Sequence, residues 1–272
     1  MNKGRPEKEF QEYIVDANGR HIVHEDYLRS PATAFLRYTV EAKDAANYCQ
    51  NYFGKNNDGT YRKDAQDSLQ HILSAFLPAI MGHFETYQRY LFAGVFEYSS
   101  LLHRFDVEGF LKKLEKDYSV KISPLRLAAY RGFNAPVGVL LADTLPGWHH
   151  PERVNGYFKA FGFKKEFFSN DDCKRLRVLW QLRHSIVHTG GSITIPDAQK
   201  ISELEPYGDK PVVFDNQFVF EVSRKMHPLV QKATNRIESS FLETLKDNIA
   251  NEDRQALEEL FEVKSSVAVW LR

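Results

Sequence analysis

Residues 181 to 191, QLRHSIVHTGG, place side chains that can donate, accept and move protons at the end of an otherwise apolar segment. Histidine both takes and gives a proton near neutral pH, because its ordinary pKa lies there. Arginine is a permanent planar cation whose donors suit phosphate oxygens. Arg183 and His188 together therefore have the chemistry to cleave RNA without a metal. A base takes the proton of the ribose 2′-OH, this oxygen attacks the adjacent phosphorus, and the 5′-oxygen leaves.

The spacing of these residues places them differently around an ideal helix. His184 and His188 are four residues apart and share a face. Arg183 and His188 are five apart, which is about 140° around the axis at 3.6 residues per turn. Residues 189 to 191, Thr-Gly-Gly, predict that the helix ends there, so the helical period does not fix the direction of His188. For the two residues to act together, the arginine must reach around the helix end to His188, or the residues must meet those of a second subunit across a two-fold axis.

A purely structural interpretation competes with this chemistry. An arginine and a histidine near a helix C-terminus each stabilise the helix dipole by about 0.3–1 kcal/mol. On local chemistry alone that interpretation comes first, because Arg and His five residues apart are common by chance. The surrounding sequence makes the pattern more specific: an apolar lead-in, a polar residue directly after Arg183 and a glycine stop directly after the second histidine.

In that setting, LRHSIVHTGG resembles the R-x4-H motif of the HEPN superfamily, all-helical domains common in toxin–antitoxin and antiviral systems. Both motif positions match, at Arg183 and His188. His184 occupies the position after the arginine, which is polar in that family. The segment HFETYQRYL, which contains Glu85, resembles an earlier core helix of the family, and the chain from Phe218 onward resembles the helix after the motif. The resemblance covers roughly residues 65 to 248.

The resemblance implies a HEPN-type helical bundle with the activity of a metal-independent endoribonuclease, an effector of toxin–antitoxin or antiphage (abortive infection) defence. It makes His188 the general acid/base and Arg183 the phosphate-stabilising cation, with His184 and Ser185 orienting the phosphate or the catalytic histidine. The products would carry 2′,3′-cyclic phosphate and 5′-hydroxyl ends. The implied partners are an RNA substrate, a second copy that brings two motifs face to face in a homodimer, and an antitoxin or inhibitor protein.

Two other classes of function stay open at this point. The first is a catalytically silent HEPN-like module that binds RNA, a nucleotide or a partner protein. The second is a helical scaffold in which Arg183 and His188 only close a helix. An enzyme predicts that the pair converges where solvent reaches it, whereas a scaffold buries the two side chains or keeps them apart.

Further charged residues near the motif are weaker candidates. Three basic residues precede it on the same helix: Lys174, Arg175 and Arg177. They form a candidate track for an RNA backbone, with a solvated face balanced by acidic neighbours as an equal alternative. Glu85 is a candidate orienting residue, and pairing with an arginine is its alternative. His149 and His150 have no cysteine or third histidine at ligand spacing, so the sequence predicts no metal and no cofactor.

Composition limits the class of protein independently of any motif. The chain of 272 residues with 43% hydrophobic residues is long enough and apolar enough to bury a sizeable core. Its 36 Lys and Arg balance 36 Asp and Glu, so a basic coat is excluded and an RNA site must be a local patch. Two cysteines without metal spacing, no apolar signal region and no apolar run near about 20 residues predict a cytoplasmic protein outside the membrane.

The elements that must position the motif are predicted to be mainly helical. Residues 9 to 25 alternate apolar and polar about a central Ala-Asn-Gly and predict a short β-hairpin. A helix is expected between Ser30 and Gly54, and a short amphipathic one opened by Asp106. Apolar residues at three- and four-residue spacing over 69–102 predict a long helix that Pro78 kinks or splits.

The second half of the chain carries the motif helix and the helices after it. Ser169, Asn170 and Asp171 compete as the N-cap of the motif helix. A further long helix is predicted from Phe218. Residues 212–220, which overlap its start, could instead pair as strands, so the start of the helix stays open. The chain is thus divided into an N-terminal extension of hairpin and helix over residues 1–60 and a HEPN-like helical domain over 61–272. The fold class predicted is all-α.

Overall fold

The computed structural model describes residues 9–14, 24–120 and 136–266. Within these ranges the chain is all-α, as predicted, and its one sheet is a minimal antiparallel pair of β1 (Ser192–Ile193) with β2 (Lys210–Pro211). The helices are α1 (His24–Arg29), α2 (Pro31–Tyr52), α3 (Lys63–Glu97), α4 (Val107–Tyr118), α5 (Val137–Thr144), α6 (Pro151–Lys159), α7 (Asn170–His188), α8 (Ile195–Ala198), α9 (Phe218–Leu242) and α10 (Asn251–Leu260). Short 3-10 turns occupy Phe10–Tyr13, Tyr98–Leu101 and Ser202–Tyr207.

Helix α3 is the centre of the molecule. It is 35 residues long, and α2, α5, α7 and α9 all pack against it. Its apolar face is fully buried along most of its length, and much of that face is aromatic. The ring of Phe84 lies 6.5 Å from that of Trp180, which docks the motif helix α7 onto α3. The three- and four-residue spacing therefore identified this helix correctly.

Two prolines lie inside long helices without splitting them. Pro78 lies in α3 and Pro228 in α9, and the helix continues on both sides of each. A proline removes one backbone hydrogen bond and crowds the preceding turn, which a helix tolerates when packing holds its two halves. Leu77 and Ile80, beside the first proline, are completely buried. The sequence predicted that Pro78 would kink or split the helix, and for this reason the split does not occur.

The predicted N-terminal hairpin is not supported at its ends. Phe10–Tyr13 form a 3-10 turn closed by a reciprocal hydrogen-bonded box between Glu9 and Glu12, and α1 begins at His24. Residues 15–23, which include the predicted turn, lie outside the described residues. Phe10, Tyr13 and Ile14 are 92%, 64% and 80% exposed, so these three apolar residues are not packed against a sheet or helix of the described residues.

Helix α2 belongs to the same core as the helices that follow it. It begins at Pro31 and ends at Tyr52, close to the predicted bounds, and packs against α3 and α9. Phe35 and Leu36 are fully buried in the main hydrophobic cluster. Among the described residues, no helix is long and apolar enough to cross a membrane.

The segment between the motif and α9 contains little strand. Only Lys210 and Pro211 pair with β1, and the following residues run without regular structure to the start of α9 at Phe218. The alternative of a strand over 212–220 is therefore wrong. Phe214 and Phe218 stack with their ring centroids 3.6 Å apart, so apolar residues here pack on one another rather than in a sheet.

Candidate active site

Helix α7 carries the motif, and its first turn is fixed by hydrogen bonds. Ser169 is the N-cap: its Oγ accepts from the N–H of Asp172 at 3.2 Å, and Asp172 Oδ2 accepts from the N–H of Ser169 at 3.1 Å. Arg236 on α9 donates to the same Oδ2 at 3.2 Å. Burial alone would raise the pKa of the Asp172 carboxyl, but these hydrogen bonds outweigh it and hold the pKa below its usual value.

The other end of α7 is closed by the predicted glycine stop. Gly190 and Gly191 have φ of 65° and 80°, a left-handed backbone that glycine adopts without strain. The N–H groups of Thr189 and Gly191 both donate to the carbonyl oxygen of Ser185, at 3.2 and 3.0 Å. The chain then turns into β1. Helix α7 thus runs through His188 and presents that residue in its last turn.

Arg183 and His188 contact each other within one chain. Nη1 of Arg183 lies 3.4 Å from Nε2 of His188, the length of a weak hydrogen bond, even though the residues are five apart. The long arginine side chain bridges the angle between the two positions. A guanidinium can only donate, so Nε2 is the acceptor and the proton of a neutral ring is on Nδ1. The unprotonated Nε2 is thereby held beside a permanent cation.

The surroundings of Arg183 leave its charge available. Among the described residues, no carboxylate lies within ion-pair distance of its guanidinium. Its Nε is buried and has no hydrogen-bond partner there. His188 itself is exposed. The contact that Arg183 makes is with the His188 imidazole, so its charge is not neutralised by a carboxylate of the described residues.

The two supporting residues of the motif lie in different environments. His184 is exposed, and its ring centroid lies 4.9 Å from that of His188. Ser185 is completely buried, and its Oγ has no hydrogen-bond partner. The structure therefore places His184 beside the pair, whereas the Ser185 hydroxyl faces the interior and does not reach a phosphate on the solvent side. The contribution of Ser185 to this end of the helix is its backbone carbonyl.

The three basic residues before the motif do not form one track. Arg177 lines a cavity together with Gln181 and His184, which recur at four- and three-residue spacing on one face of α7. Lys174 is exposed, and its positive charge, like that of Arg177, acts on the carboxylate of Glu203. Arg175 instead lines an apolar groove between α7 and α9, away from this face.

Two histidines from outside the motif join the same face. His149 and His150, just before α6, line the cavity with Arg177, Gln181 and His184. The His149 ring packs edge-on against Trp180 at 6.0 Å. Burial lowers the pKa of His149, with a further lowering from His150, and Arg183 acts in the same direction. The influence of Arg183 on His149 puts the cavity and the Arg183–His188 pair in one electrostatic environment.

Glu85 makes the ion pair that was the alternative to an orienting role. Its carboxylate accepts from Arg89 at 2.7 Å on α3, and Arg89 also contacts Asp143 at 3.2 Å. Its nearest link to the site is an electrostatic interaction with His149. The structure does not bring Glu85 into contact with Arg183 or His188.

The described residues contain no group of three or more His, Cys, Asp or Glu side chains arranged to hold a metal ion. The end of α7 and the neighbouring cavity instead offer the imidazole of His188, the guanidinium of Arg183 without a carboxylate partner, and further hydrogen-bond donors. Such groups act on a phosphodiester by proton transfer and by stabilising charge on the phosphorane oxygens.

Sequence reasoning missed Gln181 and Lys200, and it considered His149 and His150 only as metal ligands, not as part of this face. Gln181 was detectable, because it falls on the helical stripe between Arg177 and His184. The others reach the site from the α5–α6 connection and from the segment after α8, and only the tertiary packing of those elements on α7 brings them together.

Comparisons of this chain with protein-family models, with curated proteins and with solved structures find no match. The geometry and chemistry of the residues around the end of α7 are therefore the basis on which function is argued.

Proposed function

We propose that this protein is a metal-independent endoribonuclease of the HEPN type, with its active site at the C-terminal end of α7. One observation carries the proposal. Nη1 of Arg183 lies 3.4 Å from Nε2 of His188 at an exposed helix end, with no carboxylate of the described residues paired to the arginine. A general base and an unneutralised cation at this distance match the needs of 2′-OH attack on phosphorus.

The roles follow from the atoms that face each other. When RNA binds, the guanidinium turns from Nε2 to the phosphate, which frees the single lone pair of Nε2. Nε2 of His188 then takes the proton of the ribose 2′-OH, and the 2′-oxygen forms its bond to phosphorus as the bond from phosphorus to the 5′-oxygen breaks. The imidazolium returns the proton to the leaving 5′-oxygen. The guanidinium of Arg183 donates to the non-bridging oxygens, where negative charge increases. RNA is cleaved in this way and DNA is not, because DNA lacks the nucleophile.

The biological setting and the assembly state belong to the same proposal. The R-x4-H resemblance supports an effector of toxin–antitoxin or antiphage defence that acts in the cytoplasm and is restrained by an antitoxin or inhibitor. It also supports a homodimer with the two motifs facing each other. Val187 and Ile195, beside the end of α7, are 46% and 55% exposed. These side chains offer apolar contacts for a second copy around the motif.

The decisive experiment is incubation of the purified protein with a mixed RNA substrate in excess EDTA, followed by analysis of product ends. We expect 2′,3′-cyclic phosphate and 5′-hydroxyl ends from the wild type. His188→Ala should cut at least about a hundredfold more slowly, since general acid–base catalysis contributes at least that much. His71→Ala is the matched control, because His71 is an exposed histidine on α3.

Three results would overturn the proposal. Equal cutting by wild type and His188→Ala would place the activity elsewhere. Cutting that depends completely on added Mg²⁺ would exclude the metal-free mechanism. RNA binding without cutting by the wild type would favour a silent RNA-binding module.

A further inference from the structure

A cavity of about 320 Å³ lies beside the Arg183–His188 pair, on the side of α7 that faces the α5–α6 connection. Its walls combine hydrogen-bond donors with two apolar side chains. The lining residues are His149, His150, Arg177, Trp180, Gln181, His184, Lys200 and Ile201. A cavity of this size is within the range of sites that hold small ligands.

The two cations of the cavity keep most of their donors free. Arg177 makes one contact with Glu152 at 3.4 Å, and both side chains are about half exposed. Lys200 contacts Asp197 at 2.6 Å, with 62% of its side chain exposed. A guanidinium has five N–H donors and an ammonium has three, so one contact leaves the others available. The carboxylates of Glu152 and Asp197 balance the two positive charges. The histidine side chains of the cavity add further hydrogen-bond donors.

His184 connects the cavity to the Arg183–His188 pair, and Gln181 lines the cavity beside it. The amide nitrogen of Gln181 is buried without a hydrogen-bond partner, which is uncommon for a buried donor. The His184 ring borders the cavity and lies 4.9 Å from the ring of His188. A ligand in the cavity therefore lies directly next to a group bound at His188.

We propose that this cavity binds the phosphate of the nucleotide adjacent to the cleaved bond, with Arg177, Lys200 and His184 as the groups that contact it. This inference rests on the proposed ribonuclease function and specifies its substrate as a single strand engaged through at least two successive phosphates. Among the described residues, the cavity is lined by hydrogen-bond donors and by no carboxylate, and its histidines are not arranged to hold a metal ion, so the lining suits an anion.

The test measures the salt dependence of binding to a short fluorescein-labelled 2′-O-methyl RNA, which has no 2′-OH to attack. Anisotropy titrations between about 50 and 200 mM salt give the slope of log K against log[salt], and each phosphate contact of a single strand contributes about 0.7 to that slope. We expect Arg177→Gln and Lys200→Gln each to lower the slope by about that amount and to weaken binding several-fold at the low-salt end.

Arg175→Gln is the matched control, because Arg175 is an exposed arginine on the same helix that lines a different groove. It removes the same charge without touching the cavity, so its slope should equal that of the wild type. An equal fall in all three variants would show a general charge effect and would overturn the site. An unchanged slope in Arg177→Gln and Lys200→Gln would overturn it as well.

The cleavage assay separates this inference from the proposed function. At saturating RNA, Arg177→Gln and Lys200→Gln should cleave within a few-fold of the wild-type kcat with a raised KM, whereas His188→Ala loses kcat. If the wild type cleaves RNA and the cavity variants change neither the salt slope nor KM, the ribonuclease proposal is supported and the phosphate site in the cavity is rejected. If Arg177→Gln and Lys200→Gln lower the salt slope but the wild type cleaves no RNA, the phosphate site is supported and the ribonuclease proposal is rejected.

Discussion

At the scale of single residues, the contact between Arg183 and His188 depends on the shape of the guanidinium. Nη1 reaches Nε2 of His188 at 3.4 Å, and the planar group carries the N–H donors of a second terminal nitrogen beside it. A lysine ammonium carries the same charge on a single nitrogen and cannot hold two phosphate oxygens in the same way. We therefore expect Arg183→Lys to lower kcat by about tenfold to a hundredfold and Arg183→Gln to lower it further. Single-turnover cleavage of a labelled RNA would measure this, and equal rates for Arg183→Lys and wild type would exclude a role for guanidinium geometry.

The thiol on the same helix is predicted to be inert. Cys173 is 3% exposed, and burial, with a further contribution from Glu152, raises the pKa of its thiol to about 12. Cys49 is only partly buried. Iodoacetamide at mildly alkaline pH should therefore label Cys49 first, and Cys173 at least about a hundredfold more slowly until the protein is unfolded. Mass spectrometry of tryptic peptides gives both rates, and comparable rates would contradict the buried position of Cys173.

At the scale of elements, α7 is held at its N-terminus by Asp172, which completes the capping box and accepts from Arg236 on α9. Because the pKa of Asp172 is lower when folded, its contribution to stability is present above the ordinary carboxyl pKa of 3.8 and is lost as pH falls through the lower folded value. Asp172→Asn should lower the free energy of unfolding by about 1–2 kcal/mol at pH 7. This difference should shrink as the pH falls below about 4.

Urea unfolding followed by circular dichroism at pH 7 and at acidic pH would measure both effects. Asp171→Asn is the control, since Asp171 lies in the same turn but is exposed, and it should stay within about 0.5 kcal/mol of the wild type. A deficit in Asp172→Asn that is as large in acid as at neutral pH would show that the carboxylate charge is not what stabilises the turn.

The sequence predicts these elements well where local chemistry decides them. The two glycines end α7 as expected, and Ser169 is the N-cap among the three candidates that the sequence left open. The apolar spacing identified α3, because capping and periodicity act within one or two turns. The sequence left a kink and a split at Pro78 as alternatives, and the split does not occur because tertiary packing around the proline holds the helix together. The strand over residues 212–220 was wrong for a similar reason: a strand needs a partner, and β1 pairs with Lys210 and Pro211, just before this segment.

At the scale of the whole molecule, the site combines segments far apart in the chain. His149 and His150 precede α6 and Lys200 follows α8, and they meet on α7 only through the packing of these elements. No spacing within the sequence encodes that meeting. The Arg183–His188 contact is predicted only in part by the sequence. The motif identifies both residues, but their spacing of five residues does not decide whether they meet within one chain or between two chains.

The contact within one chain makes a prediction about any dimer. Because Nη1 of Arg183 already reaches Nε2 of His188 of its own chain, each copy holds a complete pair. An equimolar mixture of Arg183→Ala and His188→Ala, unfolded together and refolded so that subunits exchange, should then show no recovery of cleavage. A site made of Arg183 from one subunit and His188 from the other would instead regain about a quarter of wild-type activity, since half the dimers are mixed and each mixed dimer has one intact site. Subunit exchange is verified with two affinity tags. Recovery near that fraction would mean that the pair used in catalysis forms between subunits and that the contact seen within one chain is not the catalytic one.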